Sequence, residues 1–182
     1  RSSKVVTQMG IQVHSSAYYR IAAQVLKDRV IGKVKEVHSW SSKTWGDPSP
    51  RPDTTDPVPA EFNWDLWLGV RAERSFIGGE YYHPENWRKR LDFGTGTLGD
   101  MGCHIFNMPH MALDLGSPIA VQAETSGHNR ETFPAWSIVH YEYAAVGNRP
   151  AFKVHWYDGG RKPDLDLGEK YEFGGNGTIT IC

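Results

Sequence analysis

The 182-residue chain has a formal net charge of −1 and a pI near 6.8, which gives no electrostatic basis for binding nucleic acid or an anionic membrane surface. It has no run of about 18 apolar residues, so no membrane-spanning helix is expected. Two cysteines, Cys103 and Cys182, cannot make a disulfide framework; the cytoplasm is therefore the default compartment, and periplasmic export would require a signal outside this sequence.

Two strands and a helix are predicted in the first 43 residues. Residues 4–10 contain the short β-branched run of a buried strand. Residues 17–29 carry apolar side chains at helical spacing, and Gly32 suits a left-handed cap beyond them. Residues 34–43 predict the second strand.

A proline-rich stretch follows at residues 45–62. Its prolines exclude a regular helix or a central strand, so the stretch is predicted to be an ordered surface loop, with a substrate lid as the alternative. Residues 63–69 predict a short helix closed by Gly69. The next block mixes aromatic rings with polar tips, which suit carbohydrate faces but can equally attach a loop to a sheet. Both interpretations stay open for Tyr82, His83, Trp87 and Arg88.

The most informative stretch is residues 91–115, where a glycine-rich turn at 94–97 leads into a helix predicted from about Leu98. Asp100 and His104 are one helical turn apart, so their side chains share a face. A carboxylate can orient an imidazole ring and favour its protonated form, which suits general acid–base chemistry. The alternative is an acidic residue favoured by the helix dipole and a histidine that packs in the core.

The rest of the chain is dominated by predicted strands. Pro109 should first kink the helix, because it cannot donate a backbone hydrogen bond to the preceding turn. Strands are then predicted at residues 119–128, 135–144 and 151–157, with shorter candidates at 165–167, 171–173 and 178–181. Four or five antiparallel strands with helices on one face make an open-faced α+β sheet.

The uncovered face of such a sheet has a predicted role. If it carries Tyr141, Tyr143 and Trp156 or their neighbours, it is a large apolar patch, and we expect a homo-oligomer to form through it. Lys153 and His155 lie on the polar side of their strand, toward solvent or a subunit interface. No Cys or His spacing suggests zinc, so no metal site is predicted.

Several motifs together resemble the Gfo/Idh/MocA family, the group of NAD(P)-dependent oxidoreductases that includes glucose–fructose oxidoreductase and inositol dehydrogenase. The family signature D-x-G-x-H falls on Asp100 and His104, and R-V-I-G-K-V at residues 29–34 resembles its crossing into the substrate domain. The blocks W-D-L-W-L-G, Y-H-P-E-N-W-R and W-Y-D-G-G are similar to a planctomycete-like bacterial subgroup.

The resemblance implies a fold and a site. The fold would be an open-faced, mostly antiparallel sheet with helices on one face, and the other face commonly makes a subunit interface. His104 would exchange the proton of the reacting hydroxyl, and Asp100 would help to hold the substrate. Asn107 stands where the family often has a second aspartate.

The resemblance also implies two domains. Residues 1–14 would be the last strand and exit of a truncated nucleotide-binding domain, with Gln8 and Gln12 as candidate contacts to the cofactor. Residues 15–182 would be a substrate-binding and oligomerisation domain, truncated at its C-terminus. No G-x-G-x-x-G follows a strand here, and the lysine of the family's E-K-P motif would lie upstream of Arg1.

The implied function is hydride transfer between NAD or NADP and a sugar, polyol or related hydroxy compound. The cofactor would be bound mainly by the missing N-terminal domain, so these 182 residues alone are expected to be inactive. Two alternatives stay open: a non-catalytic binding or assembly module, and a glycoside hydrolase on the same scaffold that recycles NAD.

Overall fold

The computed structural model describes residues 2–10, 12–165 and 172–182. Its helices are α1 (Ala17–Lys27), α2 (Trp64–Leu68), α3 (Gly96–Ile105) and α4 (Asn107–Leu113), with a 3-10 turn at Asn86–Lys89. Its strands are β1 (Glu36–Ser41), β2 (Ala120–Thr125), β3 (Ser137–Tyr143), β4 (Phe152–Tyr157) and β5 (Asn176–Ile181). No helix in these ranges is both long enough and apolar enough to cross a membrane.

The five strands form one sheet in the order β2-β3-β4-β1-β5. β1 pairs with β4 in parallel, and the other three pairings are antiparallel. The predicted open, mostly antiparallel sheet is therefore confirmed. Its one parallel pair arises because the first strand of the chain inserts between β4 and the last strand, β5.

The core lies between one face of the sheet and helices α1 and α4. Alternation along β1 and β4 turns Val37 and Val154 toward the helices, where both are almost fully buried. Leu26 of α1 and Ala112 of α4 pack against this face. Helices on one face, as predicted, supply the apolar cover that the sheet needs.

Tyr141, Tyr143 and Trp156 do not form the aromatic patch that was predicted for the open face of the sheet. Trp156 is fully buried, Tyr143 is 8 % exposed, and Tyr141 packs edge-on against Phe106 at the end of α3, with ring centroids 5.7 Å apart. These side chains belong to the helix-covered face, because the core needs the largest apolar residues. Self-association through the outer face stays a prediction, although these three side chains no longer support it.

The predicted strand at residues 4–10 is wrong. These residues are exposed and form no strand, because no neighbouring strand in the described ranges pairs with their backbone groups. The helix at 17–29 is confirmed but ends at Lys27, and Arg29 adopts the left-handed conformation (φ 54°) before Gly32 does so again (φ 99°). Gly69 closes α2 with φ 62°, as expected.

The strands predicted at 34–43, 119–128, 135–144 and 151–157 correspond to β1, β2, β3 and β4. The candidate at 178–181 extends to six residues and pairs with β1 along its whole length. The candidates at 165–167 and 171–173 fall largely on residues 166–171, outside the described residues. Leu165, Glu172 and Phe173 are not in a strand.

Asp158 ties the ends of β3 and β4 together. Its carboxylate accepts hydrogen bonds from the indole of Trp156 (2.8 Å) and from the backbone N–H and hydroxyl of Ser137 (2.6 and 2.8 Å). Burial raises the pKa of Asp158 above its ordinary value. The indole of Trp156 and the two groups of Ser137 all donate their hydrogen bonds to the carboxylate oxygens of Asp158.

We expect Asp158→Ala to lower the free energy of unfolding by about 1–3 kcal/mol, because the buried indole N–H of Trp156 is left without an acceptor. Urea unfolding measures this. Asp53→Ala, at an exposed position, is the matched control and should stay within about 0.5 kcal/mol of the parent. Equal losses in the two variants would contradict the role given to Asp158.

Candidate active site

The glycine-rich turn brings the start of α3 against two other segments. At Gly94 an added Cβ would lie 2.4 Å from the backbone oxygen of Arg88. At Gly96, which has φ +63°, it would lie 2.7 Å from the ring of Phe133. Only residues without a side chain allow this close approach, so the turn fixes where α3 begins.

The predicted kink at Pro109 takes the form of a break between two helices. α3 ends at Ile105 and α4 begins at Asn107, with Phe106 as the residue shared by both caps. Pro109 is buried in the first turn of α4, where its missing N–H is tolerated.

His104 lies on the wall of a cleft of ≈ 580 Å³ between α1, α3 and β5. Its side chain is half-buried, and the hydroxyl of Tyr19 donates a hydrogen bond to its backbone oxygen (3.3 Å), which ties α1 to α3. Burial raises the pKa of Tyr19, so the hydroxyl stays protonated. The other lining residues are Gln12, Val13, Tyr18, Ala22, Met101, Ile105, Met108, Asn176, Gly177 and Thr178.

Asp100 has a different partner from the one expected. Its Oδ2 lies 3.0 Å from Nε of Arg88, and both side chains are 24 % exposed. Within the described ranges there is no hydrogen bond between Asp100 and His104. The expectation that Asp100 orients the imidazole of His104 is therefore wrong. The carboxylate pairs with Arg88 because a guanidinium offers it a full opposite charge.

Arg88 is itself held by aromatic rings. Its guanidinium carbon lies 4.7 Å from the ring centre of Trp45 and 4.5 Å from that of Trp87. The salt bridge to Asp100 therefore joins the 3-10 turn of residues 86–89 to α3. Two of the predicted substrate-binding residues, Trp87 and Arg88, are thus brought next to the predicted catalytic Asp100.

The other two predicted substrate-binding residues lie elsewhere. Tyr82 is 2 % exposed and sits in an aromatic cluster, where its placement is that of a packing residue. His83 is exposed and touches Trp67, with ring centroids 6.3 Å apart. The cluster consists of Phe62, Trp64, Trp67, Phe76, Tyr82 and Phe93.

The two predicted cofactor contacts are also separated. Gln12 lines the cleft beside His104, whereas Gln8 is exposed and outside the residues that line it. Asn107 is not among the residues that line the cleft. Its side-chain amide contacts Nδ1 of His14 (2.9 Å).

We expect Arg88→Met and Asp100→Asn each to raise KM about tenfold in the natural full-length protein, and the double variant to do no worse. The reason is that each residue is the main charged partner of the other, so the second change removes nothing further. Steady-state kinetics of the four proteins measure the coupling. Lys89→Met, on the same turn, is the control, and its effect on KM should add to that of Asp100→Asn. If the effects of Arg88→Met and Asp100→Asn also add, the two residues do not act as a pair.

The structure also groups four residues to which the sequence analysis gave no role in a site. Glu36, His38, His140 and His155 converge on the sheet face opposite the helices. His155 was predicted to face solvent or a subunit interface, but within the chain it is only 7 % exposed. Alternation along β1 puts Glu36 and His38 on one face, but the register that pairs His38 with His155 on β4 cannot be read from the sequence.

Comparison with known families identifies the chain. The family model of the Gfo/Idh/MocA oxidoreductases, C-terminal alpha/beta domain, matches residues 31–149, which is more than half of the sequence. No curated protein matches it. The matched range contains Asp100 and His104, but it does not support the narrower likeness to a planctomycete-like subgroup. The chain therefore belongs to the Gfo/Idh/MocA oxidoreductase family and carries its C-terminal α/β domain.

Proposed function

We propose that this chain forms the substrate side of an NAD(P)-dependent oxidoreductase that acts on the CH–OH group of a sugar, polyol or related hydroxy compound. The observation that carries the proposal is the position of His104, half-buried on the wall of an open cleft. An imidazole is the side chain best suited to take up a proton near neutral pH. Family membership supplies the reaction class.

The cleft fits the reacting end of a nicotinamide cofactor together with a small alcohol. Its volume of ≈ 580 Å³ lies in the range of small-molecule sites, about 300–1,000 Å³. Gln12, Tyr19 and Asn176 offer amide and hydroxyl groups for hydrogen bonds. The one G-x-G-x-x-G of the sequence, at residues 94–99, follows the 3-10 turn of residues 86–89 instead of a strand, so the dinucleotide phosphates would be held by other sequence.

The residues of this chain then have distinct roles. His104 accepts the proton of the substrate hydroxyl as the C–H bond breaks, and a nicotinamide bound in the cleft would supply the hydride acceptor. Met101, Ile105 and Met108 line the same cleft with apolar surface, which limits water around the reacting carbon. The Arg88–Asp100 pair holds the 3-10 turn against α3, one helical turn before His104.

The test is a substrate screen with the natural full-length protein. A panel of aldoses, polyols and aryl glycosides is incubated with NAD⁺ or NADP⁺, and both the absorbance of reduced nicotinamide and the release of the aryl group are followed. Substrate-dependent reduction of the cofactor supports the proposal. Aryl release without net reduction would favour the hydrolase, and neither signal would favour a non-catalytic module.

A further inference from the structure

The histidine cluster on the outer face of the sheet plays no part in the proposed function. His38 on β1 is in register with His155 on β4, and His155 with His140 on β3, so the three form one row across neighbouring strands. Glu36 lies two residues before His38 and therefore on the same face of β1. This row is separate from the His104 cleft, which lies on the helix side of the sheet.

Three ligand-type atoms converge in this row. Oε1 of Glu36 lies 3.5 Å from Nε2 of His38 and 2.6 Å from Nε2 of His155. One ligand atom from each of these residues lies within 4.8 Å of those of the other two. The two histidines are 5 % and 7 % exposed, whereas the Glu36 side chain is 37 % exposed and reaches solvent.

The two Nε2 atoms are buried without a hydrogen bond. Neither is in a hydrogen bond with any of the residues that the structure describes, although Oε1 of Glu36 lies near both. A buried ring nitrogen without a partner is unfavourable, and a cation held between these three atoms would satisfy all of them.

In both rings the contact to a neighbouring side chain is made by Nδ1, which leaves Nε2 free for a ligand. Nδ1 of His38 hydrogen-bonds to the hydroxyl of Tyr157 (3.0 Å), and Nδ1 of His155 contacts Nδ1 of His140 (2.5 Å).

We propose that Glu36, His38 and His155 bind a divalent first-row transition-metal ion such as Zn²⁺, with water in the remaining position. Two imidazoles and a carboxylate are a donor set typical of such ions, whereas Mg²⁺ and Ca²⁺ prefer oxygen ligands alone. The ion would join β1 to β4 across their parallel pairing. This inference does not rest on the proposed function.

One of the three ligand separations already has the value that such an ion requires. Ligand atoms about 2.0–2.1 Å from a tetrahedral zinc lie about 3.4 Å apart. The 3.5 Å separation of Glu36 from His38 matches this value. The 2.6 Å separation from His155 must widen, and rotation of the solvent-exposed Glu36 side chain provides the movement.

The test is zinc binding to the full chain after treatment with a chelator. Untagged protein carrying Cys103→Ser and Cys182→Ser, which removes the two free thiols, is titrated with Zn²⁺ by calorimetry and with Co²⁺ by visible absorption. We expect one ion per chain, an intense tetrahedral Co²⁺ spectrum, and a Tm that rises with free zinc. His38→Gln, His155→Gln and Glu36→Gln should each abolish these signals.

Two further variants make the result specific. Tyr157→Phe should weaken binding about 10–100-fold, because it removes an outer partner of His38. His128→Gln changes an exposed histidine outside the row and should bind zinc like the parent. Glu36→Gln alters the solvent-exposed ligand, so the melting temperature of this variant without metal should equal that of the parent. An unchanged melting temperature shows that the variant is folded. No stoichiometric zinc binding, or equal affinity in the parent and all three ligand variants, would overturn the proposal.

Discussion

His104→Ala is expected to lower kcat by about 10²–10⁴-fold in the natural full-length protein, with KM changed only slightly. The imidazole lines the cleft and is the general base of the proposed reaction, so its loss acts on the transition state more than on substrate binding. Because the side chain is half-buried and its ring lies at the cleft wall, alanine should disturb the fold little. Steady-state kinetics measured beside thermal melts separate the two effects.

His110→Ala is the matched control for this experiment. His110 lies on α4, is exposed, and is outside the residues that line the His104 cleft. Its replacement should leave both kcat and Tm near the parent values. A His104→Ala protein with near-normal kcat, or one whose activity falls only in proportion to the unfolded fraction, would show that His104 is a packing residue.

Arg74→Met is expected to lower the free energy of unfolding by about 3 kcal/mol, at the lower end of the range for breaking a buried ion pair. Arg74 bridges the carboxylates of Asp92 and Glu131, each at 2.7 Å, and the side chains of Arg74 and Glu131 are both 15 % exposed. The hydroxyl of Tyr81 also donates to Glu131 (2.9 Å), and burial and this bond raise the pKa of Tyr81. Methionine would leave Glu131 with that hydroxyl but without its counter-charge.

The neighbouring Arg71 provides the control. It also contacts Asp92, with 3.7 Å between the charged atoms, but its side chain is 49 % exposed. Exposed ion pairs contribute about 0–1 kcal/mol, so Arg71→Met should have a small effect in the same urea titration. If the two arginine variants lose equal stability, the burial of Arg74 is not what makes its bridge important.

Much of the local structure could be predicted because its signals are short-range. The alternation of Phe152, Val154 and Trp156 marked β4, and helical spacing marked α1. Pro109 marked the end of a straight helix, although the break itself falls at Phe106. Residues 4–10 show the limit of such signals, because a β-branched run forms a strand only where another strand pairs with it.

The candidate site was predictable only in part. The one-turn spacing of Asp100 and His104 put them on one helix, and the structure confirms that helix. Their partners come from elsewhere in the chain: Arg88 pairs with Asp100, and the cleft beside His104 is completed by α1 and β5. Sequence spacing could not choose between His104 and Arg88 as the neighbour of Asp100.

By itself the sequence determined the strands and helices, the one-turn spacing of Asp100 and His104, and the motifs of the oxidoreductase family, because each depends on residues close together in the chain. Only the tertiary structure decided which sheet face the helices cover and which side chains meet across strands. Tyr143 and Trp156 are buried beneath helices, and His38 meets His155 because β1 pairs in parallel with β4. Such pairings depend on packing of the whole chain, which local patterns do not encode.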